Sequence, residues 1–412
     1  MRRPLDIAIA GAGISGLACA TLLARAGHRV TVHERFETSR PIGSGLMLQP
    51  TGLVALERLG LRDEIEALGE RIARLHGTTC SGIPIFDIAY GDLDPRFYAV
   101  GIHRAALHGA LWHAFLGSGA MLETGRTVTD VETQAGGRIS ITDEHARSSG
   151  PFDLVIDASG ARSRLRRLVT ATPPGEFTYG AVWASAPDIG VAPAALAQRY
   201  VASKVMIGCL PVGPAHPDGP RLAALFWSLK PPDYPAWRDG FEPWRERIVS
   251  LWPELQPVID GLGSPDDMTL ASYVQFTARN PHKGALVLIG DSAHATSPQL
   301  GQGANSGMLD ALALADALDM NEDIPAALQL YAKARRAHVR FYQLASRIMT
   351  PFFQSDSNVL ATTRDLTFNR MTIVPYMKRE MLRALAGLKT GLFMHQQPER
   401  LADVVARQRG AR

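Results

Sequence analysis

GALVLIGDSAHATSPQLGQGANSGMLD, residues 284–310, decides how the rest of this chain reads. It opens with an apolar run, Ala285 to Ile289, of the length a buried strand needs. The run ends on Gly290 and Asp291, which puts an acid where a parallel strand delivers its last side chain to a ligand crevice. Pro298, Gly301 and Gly303 interrupt regular structure, and Asn305 precedes a helical pattern from Met308 to Leu318. The expected unit is a strand with an Asp at its tip, then a loop of bare backbone, then a helix N-terminus. Bare backbone admits a planar or anionic group, and the helix start offers unbonded N–H donors.

A second unit of the same kind stands at the other end of the chain. Asp6 to Ala10 reads as a strand and runs straight into Gly11-Ala12-Gly13-Ile14-Ser15-Gly16. A helical pattern through Leu17, Leu22 and Leu23 stops at Gly27, and Arg29 to His33 is a second strand that ends on Glu34. This is GxGxxG in its required context, with an acid roughly 20 residues onward. The glycines permit the tight turn, the approach of a pyrophosphate and close helix–strand packing. Glu34 can accept hydrogen bonds from a ribose and would repel a 2′-phosphate.

Composition sets the outer bounds. With 412 residues, 46% apolar and 20% charged, the chain reads as a globular protein long enough for two domains. A net charge of +3 is too mild to argue for nucleic acid. Cys19, Cys80 and Cys209 have neither disulfide-framework nor zinc spacing, so a reducing cytoplasm is expected. Met1-Arg2-Arg3 and the small-residue run to Cys19 imitate a signal peptide, but cleavage there would destroy the glycine motif. No apolar run reaches the ~18 residues a membrane helix needs.

Written GDSAH…P…GQGAN…DA, residues 290–311 resemble the second FAD-binding motif of the class A flavoprotein monooxygenases, the aromatic hydroxylases similar to para-hydroxybenzoate hydroxylase. The resemblance implies that FAD, held noncovalently, occupies the first unit through Gly11, Gly13, Ile14, Ser15 and Gly16, with Glu34 and Arg35 at the adenosine end. It places the ribitol on Asp291 and the isoalloxazine beside Pro298, Gly301, Gly303, Ala304 and Asn305, whose N–H groups would face its pyrimidine edge. Gly45 and Leu46 would line the cofactor, Arg104 would reach its phosphate or flavin, and Val128 would touch adenine through its backbone. Arg40 and Arg166 are the implied contacts of NAD(P)H as a transient reductant. One departure is clear: Ser159 stands where the family carries an acid before Gly160, and Asp157 lies two residues earlier. That spelling, DASG, is similar to some flavin-dependent halogenases and isoprenoid reductases.

The implied fold is α/β with an α+β insert: a Rossmann-like FAD-binding domain, an inserted antiparallel-sheet substrate domain and a helical C-terminal region. The expected boundaries are 1–75, 101–172 and 276–330 for the FAD-binding segments and 76–100 and 173–275 for the substrate domain. Residues 331–412 would be C-terminal helices. Within the insert, strands are expected at Tyr200 to Leu210 and Arg221 to Leu229, with a Pro/Gly segment between them. Met206, Phe226 and Ser228 have the alternation of a roof over the flavin, and core packing explains each as well. His103, His108 and His113 show helical spacing without an acidic partner, so they read as surface or packing residues.

After Pro325 a long helix to Met349 carries Tyr331, Arg335, Arg336, His338 and Arg340. This tail resembles hydroxylases of the ubiquinone-biosynthesis branch, which implies an apolar aromatic or prenylated substrate. Tyr376 to Phe393 mixes Lys378, Arg379, Arg383 and Lys389 with leucines; it reads either as an anionic-membrane contact or as a helix docked on the protein's own core. The activity implied is a monooxygenase: FAD reduced by NAD(P)H reacts with O2 to a C4a-hydroperoxide that hydroxylates or epoxidises an electron-rich small molecule. Such chemistry needs no nucleophile triad or metal set, and His294 is then a structural hydrogen-bonding group. A halogenase is disfavoured by the lack of a W-x-W-x-I-P segment. An alkene reductase and a flavin-binding protein without turnover stand as competing functions.

Overall fold

A computed structural model describes residues 3–38 and 43–396. Its first layer is a six-stranded sheet in the order His282–Lys283, Leu286–Leu288, Leu154–Asp157, Asp6–Ala10, Arg29–His33, Met121–Glu123. All neighbours are parallel except the antiparallel edge strand His282–Lys283. Parallel strands covered on both faces must be apolar throughout, and Ile7, Ile9, Val32, Leu154, Ile156 and Leu288 are fully buried. Helices Ile14–Arg25, Arg104–Leu116 and Gly303–Met320 cover one face through Leu17, Leu23, Leu107, Phe115 and Leu314. A three-stranded sheet, Val128–Thr133, Ile139–Asp143 and Ser148–Phe152, closes the other face around Ala8, Ala10 and Val155.

The second layer is a seven-stranded sheet to which Thr269–Ala271, Gly180–Pro187, Leu222–Leu229, Val205–Gly213, Ala195–Val201, Arg74–Thr79 and Pro84–Ala89 contribute in that order. Side chains alternate across it with period two. Val182, Ala184, Ile207, Cys209, Leu225 and Trp227 point to one face and pack under Trp237, Phe241 and Trp244 of the covering helices. The edge-on contact of Trp227 and Trp244, centroids 6.0 Å apart, contributes about 0.5–1.5 kcal/mol beyond its area. Trp183, Met206, Leu210, Ala224 and Phe226 point the other way, toward Met47 and Phe353. Only glycine fits at position 208, since a Cβ there would lie 1.9 Å from the Phe226 ring that crosses the strand.

The helix Ile324–Phe353 joins the layers. Its first turns bury Ala327, Leu328 and Tyr331 against the cofactor sheet's helices, and its last residue, Phe353, enters the core under the seven-stranded sheet.

Three sequence expectations change. The strand expected over Tyr200 to Leu210 is a hairpin, turned at Ala202 (φ 49°) through Lys204. That turn has no Gly or Pro; it is held from outside, by the Arg364 guanidinium on Ala202 O (2.9 Å) and by Ser203 Oγ on Phe352 O (2.6 Å). Asn305 does not precede the next helix but lies in its first turn, because Gly303–Met320 starts earlier. The basic segment is helical only over Pro375–Leu385. Leu382, Ala386 and Leu388 are buried in the protein's own core, Lys378 pairs with Asp92, and both Arg383 and Lys389 pair with Glu380. Among the described residues no helix is long and apolar enough to cross a membrane.

Candidate active site

The cofactor cleft is built at the carboxyl ends of the parallel strands. Gly11 adopts φ 102° and donates its N–H to His33 O, and a Cβ there would lie 2.8 Å from Ala158 O. A Cβ at Gly16 would lie 2.0 Å from Gly11 O, so turn and helix touch backbone to backbone. Gly13 is different: nothing lies within 4 Å of its would-be Cβ, which leaves open space in front of the first helical N–H groups. Glu34, 7% exposed, accepts from Ala12 N (2.7 Å) and Phe36 N (3.1 Å), so the same carboxylate shapes the loop and closes the cleft. Ile14 is half-buried, and Arg35 is exposed with its guanidinium over the Phe36 ring. Ser15 does not face the cleft; its Oγ fills the gap between Gly290 and Gly307, where a Cβ on either would collide with it. One hydroxyl therefore locks the first glycine motif to the second.

At the second motif Gly290 turns with φ 61°, and its N–H donates to Asp310 Oδ2 at 2.8 Å. Asp310 is fully buried and also meets His294 Nε2 (2.5 Å) and Arg335 Nε (2.6 Å). Burial by itself would raise this carboxyl, but His294 and Arg335 outweigh it and hold it well below the usual carboxylate range. Asp291, the next strand-tip residue, opens on the cleft and is reached by solvent. The protein atoms around it nevertheless push its carboxyl above the usual range, against the pull of His294, Arg104 and Arg166. A Cβ on Gly303 would lie 3.9 Å from Asp291 Oδ1, so the acid stands beside the start of the Gly303–Met320 helix. Neither that helix nor Ile14–Arg25 has a side-chain cap, and both present free N–H groups to an anion or a polarised ring.

Arg104 enters from the opposite wall. His103 caps its helix, Nδ1 accepting from Ala105 N (3.2 Å), while His103 Nε2 lies 3.0 Å from Ser185 Oγ on the seven-stranded sheet. The guanidinium lies within 4 Å of a would-be Cβ on Gly43 and opens on the cleft. Crowding lowers its pKa, and the charges of Asp291 and Tyr273 act against that. Pro298–Leu300 forms one 3-10 turn that Gly301 ends at φ 59°. Gly303 and Ala304 are half-buried at the helix start. Asn305 is fully buried: Oδ1 accepts from Gln49 N, and Nδ2 donates to Met47 O and Gly301 O. It ties the Gly45–Leu48 strand to the loop. Gly45 packs directly on Val212, Leu46 is half-buried, and the Val128 side chain is core.

The altered acid–glycine segment rearranges around Asp157. Its buried carboxylate accepts from Ser159 N and Oγ and from Ser163 Oγ, so Ser159 donates where an acid was expected to accept. Arg166, 4% exposed, donates to the carbonyls of Ala161, Asp291 and Ser292 and lies 4.3 Å from the Phe276 centroid. This corrects the expectation of a nucleotide contact there: the guanidinium braces the two motifs from inside. Arg40 lies outside the described residues.

Sequence reasoning missed two groups. One is the Asp310–Arg335–His294 network. The other is the pair Trp183 and Tyr273 in the wall above the Pro298 turn, where Trp183 packs on Phe226 at 4.6 Å and its Nε1 donates to Tyr273 OH (2.9 Å). Gln299 reaches that wall through Gln354 Oε1 (3.0 Å) and Met206 Sδ. Met206 and Phe226 do face this side, whereas Ser228 Oγ bridges Met206 N and Lys204 O inside the hairpin. Period-two alternation was the available signal for Trp183.

The residues present fit a bound dinucleotide: an open Gly13 before a helix start, an acid at each strand tip and a guanidinium across the cleft. Comparison with known proteins agrees. The model of the FAD binding domain family matches residues 4–342. A putative 2-heptyl-3-hydroxy-4(1H)-quinolone synthase of Rhodococcus erythropolis is 30% identical over 335 residues, 81% of this chain and 84% of its own. The 3-amino-4-hydroxybenzoate 2-monooxygenase of Streptomyces cremeus is 30% identical over 386 residues, 85% and 89% of the two chains. The fold matches Klebsiella pneumoniae HpxO complexed with FAD and uric acid, TM-score 0.78 at 22% identity, over 92% of this chain and 97% of that one. The chain belongs to the FAD-binding class A flavoprotein monooxygenases. It is an FAD-dependent oxidoreductase of the monooxygenase type, with FAD as its cofactor. These relatives are named for substrates other than ubiquinone precursors, which corrects the branch that the tail suggested.

Proposed function

We propose that this monooxygenase uses NAD(P)H and O2 to hydroxylate, or epoxidise, an electron-rich and largely apolar aromatic molecule held beneath the seven-stranded sheet. The observation that carries this reading is the wall of Trp183, Phe226, Met206 and Tyr273 facing the Pro298 turn, with the neutral amides of Gln299 and Gln354 as its polar groups. Such a wall excludes water and favours a flat, largely apolar ring. FAD, when bound, supplies the oxygen-activating chemistry; the chain supplies position. Asp291, Arg104 and the two uncapped helix starts hold and polarise the cofactor. Burial raises the Tyr273 phenol to about 12, the Trp183 hydrogen bond and the Arg104 charge opposing. The phenol therefore keeps its proton at neutral pH and can donate it to an oxygen or nitrogen of the substrate.

NAD(P)H, on this reading, visits without a Rossmann unit of its own. Quinolone-type and other nitrogen heteroaromatics are the first substrates to try, given the name of one relative. The test is an oxygen-labelled product screen of the purified holoprotein with NADH or NADPH against quinolones, indoles, prenylated phenols and small benzoates. Labelled product from one of the apolar groups is expected. Turnover confined to charged benzoates would overturn the substrate class, and failure of both nucleotides to reduce the flavin would overturn the reductant.

A further inference from the structure

A cavity of about 620 Å³ opens between the Ile324–Phe353 helix and the segment 277–281, with Ala293 and His294 at one end. None of the cofactor-cleft residues Gly13, Glu34, Arg104 or Asp291 lines it. Ala278, Ala332 and Val339 give it an apolar floor, and Arg335 and His294, both already engaged by Asp310, form its base. Three more guanidiniums stand at its rim: Arg279 on one wall and, one helical turn apart on the other, Arg336 and Arg340.

All three are exposed, and no hydrogen bond or ion pair engages them among the described residues. Elsewhere some exposed arginines are matched, as Arg29 is with Asp6 and Arg74 with Asp87, while others, Arg162 and Arg379 among them, are not. Like charges at i and i+4 repel, and a third cation faces them across the gap. The arrangement lowers its own energy when an anion with several oxygens sits among the three. Guanidiniums bind phosphate oxygens in pairs, and an apolar floor of this size accepts a flat ring.

We propose that this cavity is a second ligand site, separate from the FAD cleft, which takes an organic phosphate of the nucleoside diphosphate class. The phosphates lie on Arg279, Arg336 and Arg340 and the base lies on the alanine–valine floor. Because Arg335 and His294 at its base also hold Asp310, the ligand braces the network that anchors Gly290.

The experiment is isothermal titration of the FAD-loaded protein at low salt with ADP, with pyrophosphate and with adenosine. Saturable binding of ADP, weaker binding of pyrophosphate and none of adenosine are expected. Replacing both Arg336→Ala and Arg340→Ala should weaken ADP by about tenfold or more, with FAD content and visible spectrum unchanged. Arg279→Ala, on the opposite wall, should give a loss in the same direction. A site that ADP and NAD(P)H share would identify the phosphates as the reductant's; binding of ADP without such competition would identify a free nucleotide, and both outcomes uphold the site. Failure of ADP and pyrophosphate to saturate the protein, or unchanged ADP affinity in the double variant, would overturn it.

Discussion

Asp310→Asn is the perturbation that probes the architecture of the site most directly. The carboxylate has no exposure and receives Gly290 N–H at 2.8 Å, Arg335 Nε at 2.6 Å and His294 Nε2 at 2.5 Å. An amide keeps the shape but loses the charge, and it turns an N–H₂ toward one of these donors. Arg335 is then a buried guanidinium without a counterion, a defect worth about 3–5 kcal/mol. At about 2.1 cal/mol/K per residue, unfolding 412 residues changes entropy by roughly 0.9 kcal/mol/K, so Tm should fall by roughly 3–6 °C. FAD should also bind more weakly, because Gly290 loses the acceptor that sets the turn before Asp291. The pH dependence has a definite sign. The folded carboxyl is depressed below its ordinary value of 3.8, so its stabilisation is complete above about pH 4. It fades only as pH falls from there toward the depressed folded value. The gap between wild type and variant should therefore narrow below about pH 4. Thermal unfolding followed by circular dichroism, with flavin fluorescence for release, measures both. A variant that melts within a degree of wild type and retains FAD equally well would refute the reasoning.

Glycine substitutions should separate ligand space from packing space. Gly13→Ala has open space around its new Cβ and should leave the apo fold's Tm nearly unchanged while weakening FAD; Gly16→Ala meets Gly11 O at 2.0 Å and should destabilise the apo protein itself. Comparable apo melting temperatures for the two would contradict this. Glu34→Ala and Asp291→Ala should each cost about 1.5–3 kcal/mol of FAD affinity, read by equilibrium dialysis, since each removes a charged acceptor at a strand tip. Tyr273→Phe should raise KM more than it lowers the rate of flavin reduction by NAD(P)H; an equal loss in both would remove the phenol from the substrate wall. Flotation with anionic liposomes at physiological salt should leave the protein unbound, because Lys378 pairs with Asp92, Arg383 and Lys389 share Glu380, and Leu382 and Leu388 are buried in the protein's own core.

Both cofactor units were legible in the sequence for a local reason. A strand that runs into GxGxxG, or into Gly290-Asp291, states its backbone requirements within a few residues: positive φ at Gly11 and Gly290, backbone contact at Gly16, an acid at the next strand's end. Period-two alternation likewise placed Phe226 and Met206 on the correct face of the inserted sheet. What the sequence left undecided depends on partners far along the chain. Asp310 entered the sequence reading only as the closing DA of the second motif, with no partner; Arg335, 25 residues on, makes it the keystone of that motif. Arg166 looked available to a nucleotide until Ser292, 126 residues away, accepted its Nε–H. The hairpin turn at Ala202 carries no Gly or Pro of its own and is held by Arg364 across 162 residues. A local pattern records the torsions and the face each residue needs, whereas the partner of a buried charge is chosen by packing, and packing is settled only when distant segments meet.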